Sequence, residues 1–264
     1  MKKRKLLLLI PALALLCVLV YSLYQILRIR HEYRLQADAY AILDAYRPSA
    51  EAGPVKHPDD QSASASPDVP TETQGNQPEP LFVNQDIVRL RRDHPNAIGW
   101  ISIPGTTVEF PFVQAEDNSY FLRRDIDGNY LYAGVPFLDY RCSPDCSDGN
   151  TIIYGHNLRN GSMFGPLESF REQAFFDEHR EIVVYLENRT IHAEIAACLV
   201  VDPGQKEYLY DPAPEEDHLQ KLLSDARCCV SKSFSDPVRF ITLSTCGYEF
   251  NGARIVLVGV VNEG

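Results

Sequence analysis

The sequence predicts a mainly β domain, an antiparallel sheet or barrel with short peripheral helices, that follows an N-terminal transmembrane helix. Seven or eight strand-like stretches recur after Leu81 with only short helical patterns between them, which is not the regular alternation of a parallel sheet. Ahead of them, Leu6 to Leu27 form an uncharged run of 22 residues, close to the roughly 20 that cross a bilayer core as a helix.

The apolar run is predicted to be an uncleaved anchor. It is longer than the apolar part of a signal peptide, and no A-x-A-like cleavage site follows it. Four basic residues and the terminal amine precede it, against three Arg and one Glu soon after it, and this bias places the N-terminus in the cytoplasm. We therefore expect a single-pass protein of the cell membrane whose remaining chain lies on the extracellular face. A buried hydrophobic helix is the alternative interpretation.

Composition divides the chain into three segments. Residues 1–34 form the basic tail and anchor. Residues 35–80 form a helical stalk and a flexible linker, because residues 47–80 hold 7 of the 18 prolines and no aromatic residue and bury too little apolar surface to fold. Residues 81–264 form the globular domain.

The charge of the chain is unevenly distributed. Before position 35 seven basic residues face one acid, and since the whole chain carries −11, the remainder carries −17. An acidic body argues against nucleic acid as a partner.

The globular domain is expected to begin with a short amphipathic helix that ends at Pro95. Apolar stretches then predict strands, with a turn at 187–189 in the longest stretch, and Pro111 is typical of an edge strand. The predicted strands cover 98–105, 108–114, 130–139, 150–157, 181–201, 238–246 and 253–261, and the predicted helices cover 84–95, about 166–179 and about 214–228.

The stretch ITLSTCGYEFNGARIVLVGV places a thiol and a guanidinium at the two mouths of a hairpin-like connection. Cys246 ends the first strand, and Arg254 opens the second. A free thiol is a weak nucleophile at neutral pH until a positive group or a base lies beside it. Arg254 is always protonated, so it is expected to stabilise an oxyanion or to hold a substrate carbonyl rather than to act as a base.

The base is expected to be a histidine, and the chain has seven. His156 differs from the others because it ends the hydrophobic strand TIIYGH and precedes a polar, Gly-containing loop. Catalytic residues are often found where a rigid strand passes into a loop. A structural histidine with satisfied hydrogen bonds is the alternative for this residue.

The remaining cysteines allow other interpretations. Cys17 lies in the apolar run, and the six thiols outside it, Cys246 included, could pair fully in bridges whose connectivity the sequence does not determine. A zinc site built from Cys142, Cys146 and the adjacent pair Cys228 and Cys229 fits the usual ligand spacings poorly. No calcium-binding loop is recognisable, and we expect no metal and no cofactor.

Two stretches, NTIIYGHNLRNGSMFGPL and ITLSTCGYEFNGARIVLVGV, together resemble the sortases, the membrane-anchored cysteine transpeptidases of Gram-positive bacteria. The shared features are a His at a strand end, a T-L-(S/T)-T/x-C strand end and an Arg that opens the next strand. The Tyr-Gly-His-Asn form, the helix before the first strand and the long helix-containing segment between the sixth and seventh strands resemble class B. The resemblance covers about Leu81 to Val261 together with the anchor arrangement.

The resemblance implies a closed eight-stranded β-barrel in which Cys246, His156 and Arg254 meet at one end of a groove. Cys246 would attack the carbonyl of a Thr in the C-terminal sorting signal of a surface protein or pilin, and His156 would protonate the leaving amine. Arg254 would hold the substrate backbone or the oxyanion. An amine of a peptidoglycan precursor, or a pilin lysine, would then resolve the thioacyl-enzyme. Asn-Pro-x-Thr-Asn-like and (Ser/Pro)-Pro-x-Thr-Gly-like signals are both implied.

The resemblance also implies substrate-binding residues, with ordinary barrel packing as the alternative for each. Asn118 and Leu122 match a groove wall, and their spacing of four would place both on one helical face. Four further positions match the groove or the loop that covers the sorting signal: Tyr154, Ser244, Tyr208 and Tyr210.

The loop after the nucleophile is expected to distinguish this chain. Gly247 stands where some class B enzymes have an acid, and Glu249 is near enough in sequence to replace it. The loop GYEFNG, residues 247–252, is expected to form one wall of the groove and to limit the access of water.

Two other functions use the same residues. A cysteine peptidase would resolve the same intermediate with water, but no Asn or Asp that would orient the His is evident. A membrane-tethered binding module would keep Cys246 as a buried structural thiol.

Overall fold

A computed structural model describes residues 2–49, 82–231, 234 and 238–262. Most of the predicted linker, residues 50–80, lies outside the described residues. The chain forms two compact units, Met1–Ala45 and Tyr46–Gly264.

The first unit is one helix. Helix α1 spans Lys2–Leu43 with Pro11 inside it, and a short 3-10 turn, Asp44–Tyr46, follows. By length and composition α1 is able to cross a membrane. Its large apolar side chains, such as Leu13, Leu16 and Val20, are exposed, which contradicts the alternative of a buried core helix.

The second unit contains nine strands among its described residues. They are β1 Ala97–Ser102, β2 Glu109–Val113, β3 Phe137–Leu138, β4 Asn150–Tyr154, β5 Glu181–Tyr185, β6 Thr190–Val201, β7 Cys228–Cys229, β8 Phe240–Cys246 and β9 Arg254–Val261. The helices of this unit are α2 Gln85–Asp93, α3 Gln173–Glu178 and α4 His218–Asp225, with 3-10 turns at Tyr120–Arg123, Gly165–Arg171 and Glu207–Tyr210.

Eight of these strands close into a barrel. Their order is β5-β1-β2-β3-β4-β8-β9-β6, and β6 pairs back onto β5, while β7 adds to β6 outside the ring. Six of the pairings in the ring are antiparallel, and two, β2 with β3 and β4 with β8, are parallel. The predicted closed, eight-stranded and mainly antiparallel barrel is confirmed. Closure removes the free edges that an open sheet would expose.

Large apolar side chains fill the core, among them Trp100, Phe112 and Phe164, each at most 1% exposed. Each such side chain contributes about 1.5–3 kcal/mol through burial. Helix α2 begins at its N-cap Asn84, whose side chain accepts hydrogen bonds from two backbone N–H groups of the first turn, and it buries Ile87 and Leu90.

The structure differs from the sequence prediction at two strands. The strand predicted over 130–139 shortens to the two residues of β3, because the residues before it form turns, including one at Gly134 with φ +62°. Strand β2 lies within the barrel rather than at an edge. On one side β2 pairs with β1 along its length, and on the other side it pairs with β3 only at Val113. Pro111, which has no N–H to donate, therefore lies where β2 has a neighbouring strand on one side only among the described strands.

Candidate active site

Three adjacent strand ends bring Cys246, His156 and Arg254 to one end of the barrel. Parallel strands β4 and β8 pair Tyr154 with Ser244, and His156 and Cys246 each follow two residues later, beyond the same edge. On the other side of β8, antiparallel β9 pairs its first residue, Arg254, with Cys246. Neighbouring strands lie about 4.8 Å apart, so the base, the thiol and the guanidinium follow one another across three strands.

The residue between Tyr154 and His156 must be small. A Cβ on Gly155 would lie 2.6 Å from the ring of Phe164, so this close approach of the backbone to a buried aromatic ring excludes any side chain. The N–H of Gly155 donates to the carbonyl of Ser244 at 3.1 Å, which extends the β4–β8 ladder toward the histidine.

Asn157 directly joins the ends of the two strands that precede His156 and carry Cys246. Its Nδ2 donates to the carbonyl oxygen of Cys246 at 2.9 Å and to Oε2 of Glu168 at 3.1 Å. Its own carbonyl accepts from the hydroxyl of Tyr248 at 2.9 Å. The residue after the candidate base is therefore bonded to the candidate nucleophile and to the loop beyond it.

Burial and a hydrogen bond to the backbone determine the protonation state and the tautomer of His156. Burial lowers the pKa of His156, with a smaller opposing effect from the hydrogen bond to Leu122. That bond joins Nε2 to the carbonyl of Leu122 at 2.8 Å, and since a carbonyl only accepts, Nε2 carries the proton. The neutral imidazole therefore has Nδ1 as the nitrogen that can accept a proton.

Arg254 is held by the backbone at the hairpin. Its Nη1 donates to the carbonyls of Gly252 and Ala253 at 3.2 and 3.1 Å. These two bonds occupy one nitrogen of a guanidinium that carries five N–H groups, so donors remain for a ligand in the cavity.

A cavity of about 350 Å³ lies at this end of the barrel. Its lining residues are Asn118, Leu122, Phe137, Tyr154, Gly155, His156, Pro203, Tyr210, Ser244, Thr245, Cys246 and Arg254. The wall combines aromatic and aliphatic side chains with polar ones, and such a mixture of apolar surface and orienting polar groups is typical of a ligand-binding site.

A buried carboxylate lies behind this wall. The side chain of Asp139 is 0% exposed and accepts hydrogen bonds from Asn118 and Tyr154 at 3.0 and 2.9 Å. Arg141 pairs with both of its oxygens at 2.9 Å. Burial acts to raise the pKa of Asp139, but the hydrogen bonds outweigh it and hold the pKa below its ordinary value.

Comparison with known proteins agrees with this geometry. The family model described as the sortase domain matches residues 101–262. A curated relative, sortase B of Listeria monocytogenes, is 32% identical over 182 residues, which cover 66% of this chain and 72% of the relative.

The chain belongs to the sortase family.

Solved structures place it within that family. Sortase B of Clostridium perfringens superimposes with a TM-score of 0.63 at 27% identity, over 67% of this chain and 99% of that one. A class B sortase of Streptococcus pyogenes, described as involved in pilus biogenesis, gives a TM-score of 0.62 at 26% identity, over 66% and 97% of the two chains. The chain is therefore a class B sortase, and sortases are cysteine transpeptidases.

The sortase brings most of its predicted substrate-binding residues together at the cavity. Asn118, Leu122, Tyr154, Ser244 and Tyr210 all line it. The ring of Tyr210 stacks on that of Tyr154 with centroids 6.2 Å apart, and its hydroxyl lies 3.2 Å from Oγ of Ser244.

Two details of that prediction differ in the structure. Tyr208 does not line the cavity, and its hydroxyl donates to Asp225 at 2.8 Å instead. Asn118 and Leu122 do not share a helical face, because Asp117 caps the N–H groups of Ser119 and Tyr120 and the 3-10 turn begins only at Tyr120.

The loop 247–252 does not form a wall of the cavity, contrary to the prediction. Tyr248 and Phe250 are exposed, and Glu249 forms an ion pair with Arg171. A Cβ on Gly247 would lie 2.9 Å from Oε2 of Glu249, so the carboxylate of Glu249 takes the space of a side chain at position 247.

The other thiols differ from Cys246 in their surroundings. Burial raises the pKa of Cys142 to about 11 and the pKa of Cys146 and Cys198 to about 12, which keeps them protonated. Cys246 is only partly buried and lines the cavity. All seven cysteines are free, and the described residues contain no cluster of three or more metal-ligating side chains.

Two important residues were missed at the level of sequence. Asp139 follows a short apolar run and precedes Arg141 by two positions, a local sign of an ion pair but not of contact with Asn118, 21 residues away. Asn157 follows the candidate base directly, yet its bond to Cys246 spans 89 residues and depends on the β4–β8 pairing.

Proposed function

We propose that this sortase is anchored in the cell membrane by α1 and acts on the extracellular face. There it cleaves a C-terminal sorting signal after Thr and transfers the acyl group of that Thr to an amine of a cell-wall precursor or to a pilin lysine. The observation that carries the proposal is the alignment of His156, Cys246 and Arg254 on three adjacent strand ends around one cavity.

The first step is acylation of Cys246. Nδ1 of neutral His156 accepts the proton of the Cys246 thiol, and the thiolate attacks the Thr carbonyl carbon. Arg254 donates to the oxygen on which negative charge develops. The C–N bond then breaks, His156 delivers its proton to the leaving amine, and a thioacyl-enzyme remains. A lowered pKa suits this cycle, because His156 begins neutral and is protonated only while Cys246 gives up its proton.

The second step is aminolysis. The incoming amine attacks the thioacyl carbon, and His156 accepts a proton from that amine. The C–S bond then breaks, and His156 returns the proton to the departing thiolate, which regenerates the thiol of Cys246 and the neutral imidazole. Water competes for the same intermediate, so transfer depends on limiting its access.

The sorting signal is proposed to bind along the cavity wall. Asn118, Leu122, Tyr154, Ser244 and Tyr210 line the cavity beside Cys246, which supports this role for the five of them. Tyr208 lies outside the cavity and is not part of the proposal.

The test uses the full-length chain in detergent micelles with peptides of the forms Asn-Pro-x-Thr-Asn and Ser-Pro-x-Thr-Gly, x being randomised. Triglycine and an acetylated lysine serve as acceptor amines, and mass spectrometry identifies the products. Cleavage after Thr with incorporation of an acceptor is expected, and Cys246→Ala abolishes it. If only the free acid forms at every acceptor concentration, the chain is a peptidase and the transfer proposal is wrong.

A further inference from the structure

We propose that Asp139 is the positioning residue of the substrate-binding wall: one buried carboxylate orients Asn118, Tyr154 and, through Arg141, Tyr210 for the incoming peptide. This inference rests on the proposed function, because it assigns a task to a residue outside the cavity. Asp139 does not line the cavity, whereas all three residues that it orients do.

The hydrogen-bond pattern of Asp139 is directional. Its Oδ2 accepts from Nδ2 of Asn118 at 3.0 Å and from the hydroxyl of Tyr154 at 2.9 Å. Because Nδ2 of Asn118 is committed to the carboxylate, its Oδ1 is turned to accept from the N–H of Tyr140 at 3.1 Å. The orientation of the amide is therefore determined, and so is the direction in which the Tyr154 hydroxyl donates.

Arg141 extends this control to a third residue of the wall, Tyr210. Its Nε and Nη2 bind the two oxygens of Asp139, and the same Nη2 donates to the carbonyl of Tyr210 at 2.7 Å. Tyr210 in turn stacks on Tyr154 and lies 3.2 Å from Oγ of Ser244. Three of the residues that line the cavity are thus linked to one carboxylate, directly or through one intermediate residue, and Ser244 is linked in turn through Tyr210.

The surroundings of the Asp139 carboxylate indicate that it orients neighbouring side chains rather than only stabilising the fold. A buried carboxylate is costly unless it is fully bonded, and replacing such a group by apolar residues is often neutral or stabilising. Two of the three residues that bond to the Asp139 carboxylate, Asn118 and Tyr154, line the cavity, and the third, Arg141, bonds through its side chain and its backbone N–H. A buried carboxylate that bonds to several polar side chains fixes their orientations, so less conformational entropy is lost when a peptide binds.

The test is Asp139→Asn in the full-length chain. An amide nitrogen in place of Oδ2 would not accept from Tyr154 or Asn118, and a hydrogen bond to a charged group is worth enough that KM for the two randomised peptides should rise about tenfold or more. We expect kcat to change by less than about threefold, since the reacting groups are not among the partners of Asp139. A purely structural role would lower the melting temperature and the active fraction and leave KM unchanged.

Two further variants keep the test decisive. Glu109→Gln is the matched control, because Glu109 accepts from the side chains of Trp100 and Ser102 on β1, away from the cavity. Tyr154→Phe removes only the hydroxyl that donates to Asp139, so it serves if Asp139→Asn does not fold. The double variant should have nearly the KM of Asp139→Asn alone, and simple additivity would contradict the proposed coupling.

Binding separates this inference from the proposed function. The peptides are titrated against Cys246→Ala with and without Asp139→Asn, using fluorescence anisotropy. Binding that weakens about tenfold supports the inference even if the wild-type chain shows no turnover. Turnover by the wild type with an unchanged KM in Asp139→Asn overturns the inference and leaves the proposed function intact. The absence of both binding and turnover in the wild type overturns both.

Discussion

Substitution of Asn157 by alanine tests whether the bridge between the catalytic strand ends matters for the chemistry. The change removes two hydrogen bonds, one to the carbonyl of Cys246 at 2.9 Å and one to Glu168 at 3.1 Å. The hydrogen bond to the Cys246 carbonyl contributes about 1 kcal/mol to stability. A hydrogen bond to a carboxylate is usually worth more, but the one to Glu168 also contributes about 1 kcal/mol, because Glu168 is partly solvated and keeps its ion pair with Arg171.

The expected loss of stability is therefore about 2 kcal/mol, or about 4–8 °C in the melting temperature of a domain of this size. The effect on catalysis should be of similar size in free energy, since a 10- to 100-fold fall in rate corresponds to about 1.4–2.7 kcal/mol. Without the bond to Asn157 the end of β8 is free to move relative to β4, and a displacement of about 1 Å costs up to about 100-fold in rate. We expect kcat to fall by about 10- to 100-fold while KM changes little.

The assay is steady-state cleavage of the two randomised peptides, together with thermal unfolding of the same preparations. Asn160→Ala is the control, since Asn160 lies in the same loop and its side chain accepts hydrogen bonds from Ser162, away from the two strand ends. If Asn157→Ala retains kcat within twofold of the wild type while Asn160→Ala behaves identically, the bridge has no role in aligning His156 and Cys246.

Three further predictions follow from the electrostatics and packing of the domain. Burial lowers the pKa of His156 and of His218, so both stabilise the fold above the unfolded value of about 6.5 and that contribution is lost as the pH falls through their folded pKa. The free energy of unfolding measured with urea should be lower at pH 5.5 than at pH 7.5, and His156→Gln should reduce this difference. An equal free energy of unfolding at both pH values would contradict the prediction. Gly247→Asp should lower the melting temperature because its side chain meets Glu249, and Glu249→Gln should restore part of the loss; a Gly247→Asp chain as stable as the wild type would contradict the clash. A charged thiol reagent should modify Cys246 in the folded chain and spare the buried thiols until urea is added; uniform labelling, or none at Cys246, would refute the distinction.

The strands of the barrel were predictable because they carry strong local patterns, whereas closure into eight strands was implied by the resemblance to sortases. The stretches around β4, β8 and β9 are rich in apolar and β-branched residues, and the structure places strands there with nearly the predicted bounds. Strand β3 was not predictable in its length, since Phe137 and Leu138 are selected by pairing with β2 and β4, which lie far away in the sequence.

The residues of the candidate site also fall into those that local sequence predicts and those that depend on distant contacts. Cys246 and Arg254 follow from one hairpin, and His156 follows from the end of a strand, so local sequence was sufficient to nominate them. The roles of Asp139 and Asn157 depend on contacts across 21 and 89 residues, which no local pattern encodes. Tyr208 shows the reverse case: it lies two residues from Tyr210, yet the 3-10 turn at Glu207–Tyr210 directs it to Asp225.

The most direct test of the central claim is detection of the acyl group on Cys246. The full-length chain is incubated with an excess of the randomised Thr-containing peptides without an acceptor amine, quenched in acid, digested and analysed by mass spectrometry. The account predicts a peptide fragment ending in Thr attached to Cys246, absent from Cys246→Ala and released by triglycine as a ligated product. Cleavage of the peptides with no adduct on Cys246, or cleavage that persists in Cys246→Ala, would contradict it.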